Sequence, residues 1–304
     1  MKKNIIVLVI IIIVGAGIYL FTKGSFQNVS VKQDKPVVTD VNLPTSTEPV
    51  KNEIKTNSDK TVIGKSVDGL DITAYHFGKG EKELLFIGGI HGGYEWNTVL
   101  VANQMMDYLK SNPDAIPDNV KVTVIPVMNP DGLNKVVGTP TGNFTKADVP
   151  SQSDTVTGRF NSNIVDLNRN FDCDWQSKAT WQNKSVSGGS KAFSEPESQA
   201  IKNYVEANQP AAVIVWYSSA GGVFASSCHN GVSAGTNMLM KTYADASGYP
   251  AHKDFNFYEI TGDMVNWFAK NDIPAVSVLL TNHTDTEWTK NLAGIKAVFK
   301  YYSK

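Results

Sequence analysis

Four short, almost unbroken apolar runs rich in β-favouring residues, at 84–87, 122–127, 212–216 and Ala275–Leu280, constrain this chain more than any other feature. A strand with one wet face alternates apolar and polar residues, whereas a strand apolar nearly throughout needs cover on both faces. Between the runs lie stretches with helical spacing, at 98–110 and 236–246. A last helix is predicted over 289–302 from Leu292, Ile295, Val298 and Phe299. Strands alternating with helices predict an α/β domain built on one core. Another helix start is marked by Ser194-Glu195-Pro196-Glu197, with Ser194 as the expected cap, Glu197 completing a capping box and Pro196 in the first turn. Ile201, Tyr204 and Val205 supply its apolar face.

The N-terminus obeys a different rule. Lys2 and Lys3 precede an apolar run from Ile5 to Phe21, longer than a signal-peptide core of roughly 7–15 residues and close to the roughly 17–25 that span a bilayer. The expectation is a cytoplasmic stub at 1–4 and a transmembrane signal anchor at 5–21, giving a single-pass protein of the cell membrane with its domain outside. Secretion after cleavage of the run is the alternative, and it also places the domain outside the cytoplasm. Residues 22–60 are polar and Pro-containing without sustained apolar periodicity, which predicts a flexible linker before a domain at 61–304. A net charge of −1 gives no reason to expect nucleic acid as a partner. Cys173 and Cys228 face an oxidising compartment on this reading; a disulfide between them is permitted, and neither belongs to a Cys-x-x-Cys metal pair.

Three segments carry chemistry. In Gly88-Gly89-Ile90-His91-Gly92-Gly93-Tyr94-Glu95-Trp96 a strand ends in glycines that allow close backbone approach, and a His and a carboxylate, both ordinary zinc ligands, follow before a helix. Pro126-Val127-Met128-Asn129-Pro130-Asp131-Gly132 runs from a strand into a turn, and Asp166-Leu167-Asn168-Arg169-Asn170-Phe171 follows Arg159.

In this order the motifs resemble the zinc carboxypeptidases, the family of carboxypeptidase A and of bacterial murein-peptide hydrolases. Ile63-Gly64-Lys65-Ser66-Val67-Asp68-Gly69, the Ser-Glu-Pro-Glu helix start and Thr261-Gly262-Asp263-Met264-Val265-Asn266-Trp267 extend the resemblance over nearly the whole domain. It implies the zinc-carboxypeptidase fold, a mixed, twisted central sheet with helices on both faces, and one zinc ion as cofactor. His91 and Glu95 would be metal ligands, one residue further apart than the common spacing, with Asp166 orienting His91 from behind. Asn168 and Arg169 would hold the C-terminal carboxylate of a peptide, the peptidoglycan stem peptide included; Arg159 would stabilise the oxyanion, Tyr258 would close over the substrate and Val265 would wall its side-chain pocket. Asp263 is a second candidate for that pocket, suited to an amino group. Outside these roles, Asp166 and Arg169 would form a structural ion pair.

Two positions depart from the pattern. Where a third ligand, a His, is expected, Val215-Trp216-Tyr217-Ser218 presents Tyr217, and a phenol with a pKa near 10 is a poor zinc ligand. Where the general base, a Glu, is expected, Val276-Ser277-Val278-Leu279-Leu280 presents Leu279. His229 is a candidate substitute ligand, and Asp285 or Glu287 a substitute base, although Glu287 also suits the N-terminus of the last helix. The expected function is a catalytically impaired binder of peptide C-termini. The alternatives are an active zinc metallocarboxypeptidase with a repaired site and a surface domain that keeps the fold for stability.

Overall fold

The computed structural model describes residues 59–304. The expected stub and anchor, and the expected linker up to residue 58, lie outside the described residues. Among the described residues, no helix is long and apolar enough to cross a membrane.

The sheet begins with β1 (Lys60–Lys65) and β2 (Asp71–Gly78). The four apolar runs follow as β3 (Lys82–Ile87), β4 (Val120–Ile125), β7 (Ala212–Ser218) and β10 (Ala275–Leu280). They lie side by side and parallel, in the order β4-β3-β7-β10. Strand β4 stops at Ile125, two residues short of the apolar run, because Pro126 has no N–H to give the ladder. β7 instead runs on to Ser218. The antiparallel β1 and β2 extend one edge; β8 (Gly222–Ala225), antiparallel to β10, and the short β9 (Ala251–His252) extend the other, giving a mixed eight-stranded sheet. A separate hairpin joins β5 (Lys178–Trp181) to β6 (Lys184–Ser187).

Alternation along each strand divides the core. Phe86, Ile214, Trp216, Val276 and Val278 pack on one face with α1 (Trp96–Ser111), α4 (Ala234–Ser247) and α6 (Trp288–Tyr302). Leu85, Val213, Val215, Tyr217, Ala275 and Leu279 pack on the other with α3 (Pro196–Asn208) and α5 (Met264–Lys270). A short helix α2 (Pro130–Val137) follows β4 and is capped by Asn129, whose side chain accepts from the Gly132 N–H. Burial of both faces explains why these strands are continuously apolar.

The start of α3 differs from the expectation. Glu195, not Ser194, is the N-cap residue, with Pro196 at the first helical position. The side chain of Asn170, far away in sequence, accepts from the Glu195 N–H and the Ser198 hydroxyl, while Ser194 donates to Glu195. No capping box forms: Glu197 is fully buried and accepts from the Val67 N–H and from Asn161.

Burial pushes the Glu197 carboxyl up to about 7. A folded-state pKa above the unfolded one contributes stability that is complete below the unfolded value and lost as pH rises through the folded value. Relative to Glu197→Gln, the wild type should therefore lose up to roughly 3 kcal/mol between the unfolded carboxylate pKa and neutrality. Urea titrations of both proteins across this range measure it, and a pH-independent difference would remove Glu197 as the cause.

Candidate functional site

The parallel strands end on one side of the sheet, where their connections must part and leave a crevice. After β3, Gly89 takes a φ of +61°, and a Cβ there would stand 2.8 Å from Val99 Cγ2, so glycine is required where the chain turns beneath α1. The turn delivers His91 and Glu95, both buried, with Nδ1 2.9 Å from Oε1. The other imidazole nitrogen lies 3.5 Å from Asp166 Oδ1. Neither ring nitrogen nor Glu95 Oε2 has a partner in hydrogen-bonding geometry. Buried polar atoms left without partners are costly, and a cation held by His91 Nδ1 and Glu95 Oε2 would satisfy two of the three.

Asp166 is fully buried. Burial raises its pKa, but the Arg159 guanidinium, followed by His91 and Arg169, outweighs burial and holds the carboxyl well below the usual carboxylate range. Arg159 donates through Nε at 2.9 Å to Asp166 Oδ2, and its Nη2 lies 2.8 Å from the same oxygen. Its Nη1 is 3.9 Å from Glu95 Oε1, and the guanidinium stacks 4.4 Å from the Trp181 ring centre. The alternative of a structural Asp166–Arg169 ion pair does not form; Asp166 pairs with Arg159.

Asn168 and Arg169 behave differently from one another. Asn168 donates to Asp263 and accepts from the Tyr217 hydroxyl at 3.2 Å and from the Met264 N–H. Arg169 gives Nε and Nη2 to the Thr180 carbonyl and Nη1 to the Asn168 carbonyl. Its charge lies 5.9 Å below the Tyr258 ring centre, while its side chain is absent from the cavity wall.

That cavity measures about 930 Å³ and is lined by His91, Glu95, Arg159, Asn168, Tyr217, Tyr258, Asp263, Val265 and Leu279 among others. Tyr217 and Leu279 are register partners on β7 and β10 and stand side by side in its wall, both nearly buried. Burial pushes the Tyr217 phenol well above its ordinary value, with Asp263 and Glu95 adding to the effect, so it is neutral and held as a donor to Asn168. Asp263 caps α5 through the Asn266 N–H, and burial raises its carboxyl.

The candidate substitutes lie elsewhere. His229 is exposed and pairs with Asp174 at 3.0 Å. Asp285 faces Lys146. Glu287 occupies the N-cap of α6, but its side chain caps no helical N–H; the carboxylate accepts from Thr281, Tyr249 and Lys290 instead. None of the three lines the cavity. His283 does, and the sequence reading passed over it. It follows β10 by three residues, its ring centre is 4.7 Å from that of Tyr94, its Nε2 is 3.4 Å from Ser219 Oγ, and its buried Nδ1 has no partner. The available signal was a His just past the last core strand, at the crevice end of the sheet.

A catalytic zinc centre takes three protein ligands and leaves one position open. Here His91 and Glu95 supply two orphaned donors, Tyr217 is an unsuitable third, and among the described residues no other His, Cys, Asp or Glu completes a three-donor group with them. The residues fit two thirds of such a centre and do not fit the whole.

A family model described as zinc carboxypeptidase matches residues 47–285. Human carboxypeptidase D is 31% identical over 122 residues, covering 36% of this chain and 8% of that protein. Bacteriocin BCN5 of Clostridium perfringens is 28% identical over 157 residues, covering 50% and 15% respectively. The matched regions are therefore small parts of these curated relatives. Bovine thrombin-activatable fibrinolysis inhibitor, solved with a tick carboxypeptidase inhibitor, superposes with a TM-score of 0.63 at 16% identity over 80% of this chain and 88% of that one. The murein-tripeptide amidase MpaA of Escherichia coli O157 gives 0.54 at 19% identity over 79% and 90%. At these identities the two structures establish the shared fold.

Proposed function

Because the chain belongs to the zinc carboxypeptidase family, we propose that its cavity binds peptides through their free C-terminal carboxylate and is impaired in cutting them. The observation that carries this reading is the pairing of Tyr217 with Leu279, a neutral phenol and an alkyl group at the two positions where the family resemblance leads one to expect a metal-ligating His and a general-base Glu. What remains suits an anion. Arg159 lines the cavity with Nη1 free of the Asp166 pair, and Arg169 adds positive charge from beneath Tyr258. A fixed guanidinium is well matched to a carboxylate. Peptidoglycan stem peptides belong to the ligand class, and the basic, apolar N-terminus supports an extracytoplasmic domain tethered to the membrane.

Isothermal titration with a short peptide and its C-terminally amidated twin tests the carboxylate reading. The free acid should bind at least about tenfold more tightly, since a charge-assisted hydrogen bond contributes roughly 1.5–3 kcal/mol, and should be recovered uncut. Equal affinities would overturn carboxylate recognition, and rapid hydrolysis would overturn impairment.

A second reading, hydrolysis through a repaired site, is favoured by one observation: the unpartnered Nδ1 of His283 on the cavity wall. On that reading, peptide release is abolished in His283→Ala, whereas the impaired reading predicts no activity to lose.

A further inference from the structure

Away from the His91–Glu95 centre, two dipeptides bring a second set of metal-type ligands together. Cys173 is followed by Asp174 and Cys228 by His229. The cysteines are joined as a disulfide with their Cα atoms 6.1 Å apart. One ligand atom each from Cys173, Asp174 and Cys228 falls within 4.8 Å of the others. His229 Nε2 lies 3.0 Å from Asp174 Oδ1, and Cys173 Sγ lies 3.8 Å from Asp174 Oδ2.

The backbone sets up this convergence on both sides. Asp174 has a φ of +53° and His229 a φ of +63°, the left-handed region that Asp and His enter more readily than most other non-glycine residues. Both side chains remain open to solvent beside buried sulfurs, which leaves an entry path for an ion.

We propose that Cys173, Asp174, Cys228 and His229 form a second, redox-gated site for a thiophilic divalent cation, with zinc as the best match. Two thiolates, an imidazole and a carboxylate are all normal zinc donors, and four of them make a closed structural centre. The gate balances simply. Two equivalents of a small thiol reduce the disulfide to two cysteine thiols and are themselves joined as a disulfide; metal binding then releases the two thiol protons. In the oxidised protein the sulfurs are spent on each other.

The position gives the site a consequence for the cavity. The Cys173 carbonyl accepts from the Gly262 N–H, next to Asp263, and the N–H of Ser227, next to Cys228, donates to Asn266. Asp263, Ser227 and Asn266 all line the cavity. The disulfide therefore ties together two segments of the cavity wall, and a bound cation takes over that tie once the disulfide is reduced. This inference rests neither on the peptide-binding reading nor on the proposed extracytoplasmic placement; an oxidising compartment keeps the gate shut until a thiol reductant opens it.

Cobalt(II) titration of the full chain, oxidised and after phosphine reduction, tests it. A thiolate-to-cobalt charge-transfer band should appear only in the reduced protein, saturate at about one cobalt per chain and be displaced by zinc. Cobalt at His91 and Glu95 has no sulfur ligand and gives no such band. His229→Ala should weaken binding at least about tenfold, Cys228→Ser should abolish the band, and zinc should raise the melting temperature of reduced wild type. Absence of the band from folded, reduced protein overturns the proposal. So does a band indifferent to both His229→Ala and Asp174→Ala. If reduction alone unfolds the chain, zinc must restore the native circular dichroism, and its failure to do so is equally decisive against the site.

Discussion

Replacing Tyr217 with His and Leu279 with Glu together should raise peptide C-terminal hydrolysis by roughly 10²–10⁴-fold over the wild type, the range that positioned acid–base groups contribute. The register pairing of the two residues makes the experiment local, because both new side chains emerge at neighbouring points of the same wall. Histidine would join the orphaned donors of His91 and Glu95, and the glutamate would add a carboxylate to the same wall. The single changes should fall far short. Tyr217→His alone adds a donor without a base, and it also removes the hydroxyl bond to Asn168. Leu279→Glu alone puts a carboxylate in a nearly buried position without its metal neighbour. Zinc content and release of the terminal amino acid are the measurements. A wild type that already matches the double variant would show that nothing had been lost. A folded, zinc-loaded double variant without activity would move the defect to the groups proposed to bind the carboxylate, with Arg169 foremost because its fork is occupied by backbone carbonyls.

The second large effect concerns stability. Asp166→Ala should destabilise the domain by about 3–5 kcal/mol, the usual cost of leaving one member of a buried ion pair uncompensated. The stranded charge is that of Arg159, itself nearly inaccessible to water. A companion variant that makes both residues apolar, Arg159→Met with Asp166→Leu, should recover much of the loss, since removing both partners also removes the need to pair. The acid dependence has a definite sign. Because the folded-state pKa of Asp166 is depressed, its contribution is present above the unfolded carboxylate pKa and is lost as pH falls through the folded value. The deficit of Asp166→Ala measured in urea should therefore be full near neutrality and shrink in strong acid. A deficit under 1 kcal/mol at neutral pH would mean that water reaches Arg159 and replaces its partner, as at exposed ion pairs where the contribution is roughly 0–1 kcal/mol.

The amino-acid sequence by itself determined the layered α/β architecture and pointed to several residues of the cavity wall, among them His91, Glu95, Arg159, Tyr217 and Leu279. Strands β3, β7 and β10 announce themselves because burial on two faces demands continuous apolar residues, a requirement visible in any short window. His91, Glu95, Arg159 and Asp166 lie together at the crevice end of the sheet, and Tyr217 stands beside Leu279 because both run out along neighbouring parallel strands. Only the tertiary structure decided which partners the polar groups chose. Arg169 turns to the Thr180 carbonyl because the β5–β6 hairpin brings a backbone acceptor beside it, and backbone acceptors leave no trace in side-chain identity. Asn170 holds the start of α3, and Asn161 with Val67 holds Glu197, although those partners lie 25 to 130 residues away along the chain. His283 reaches the cavity through a loop with no periodic signal. Apolar burial is a property of segments and averages over many atoms, so a pattern suffices to show it. Hydrogen bonds and ion pairs are decided at about 3 Å between particular atoms, and chain folding alone brings those atoms within reach.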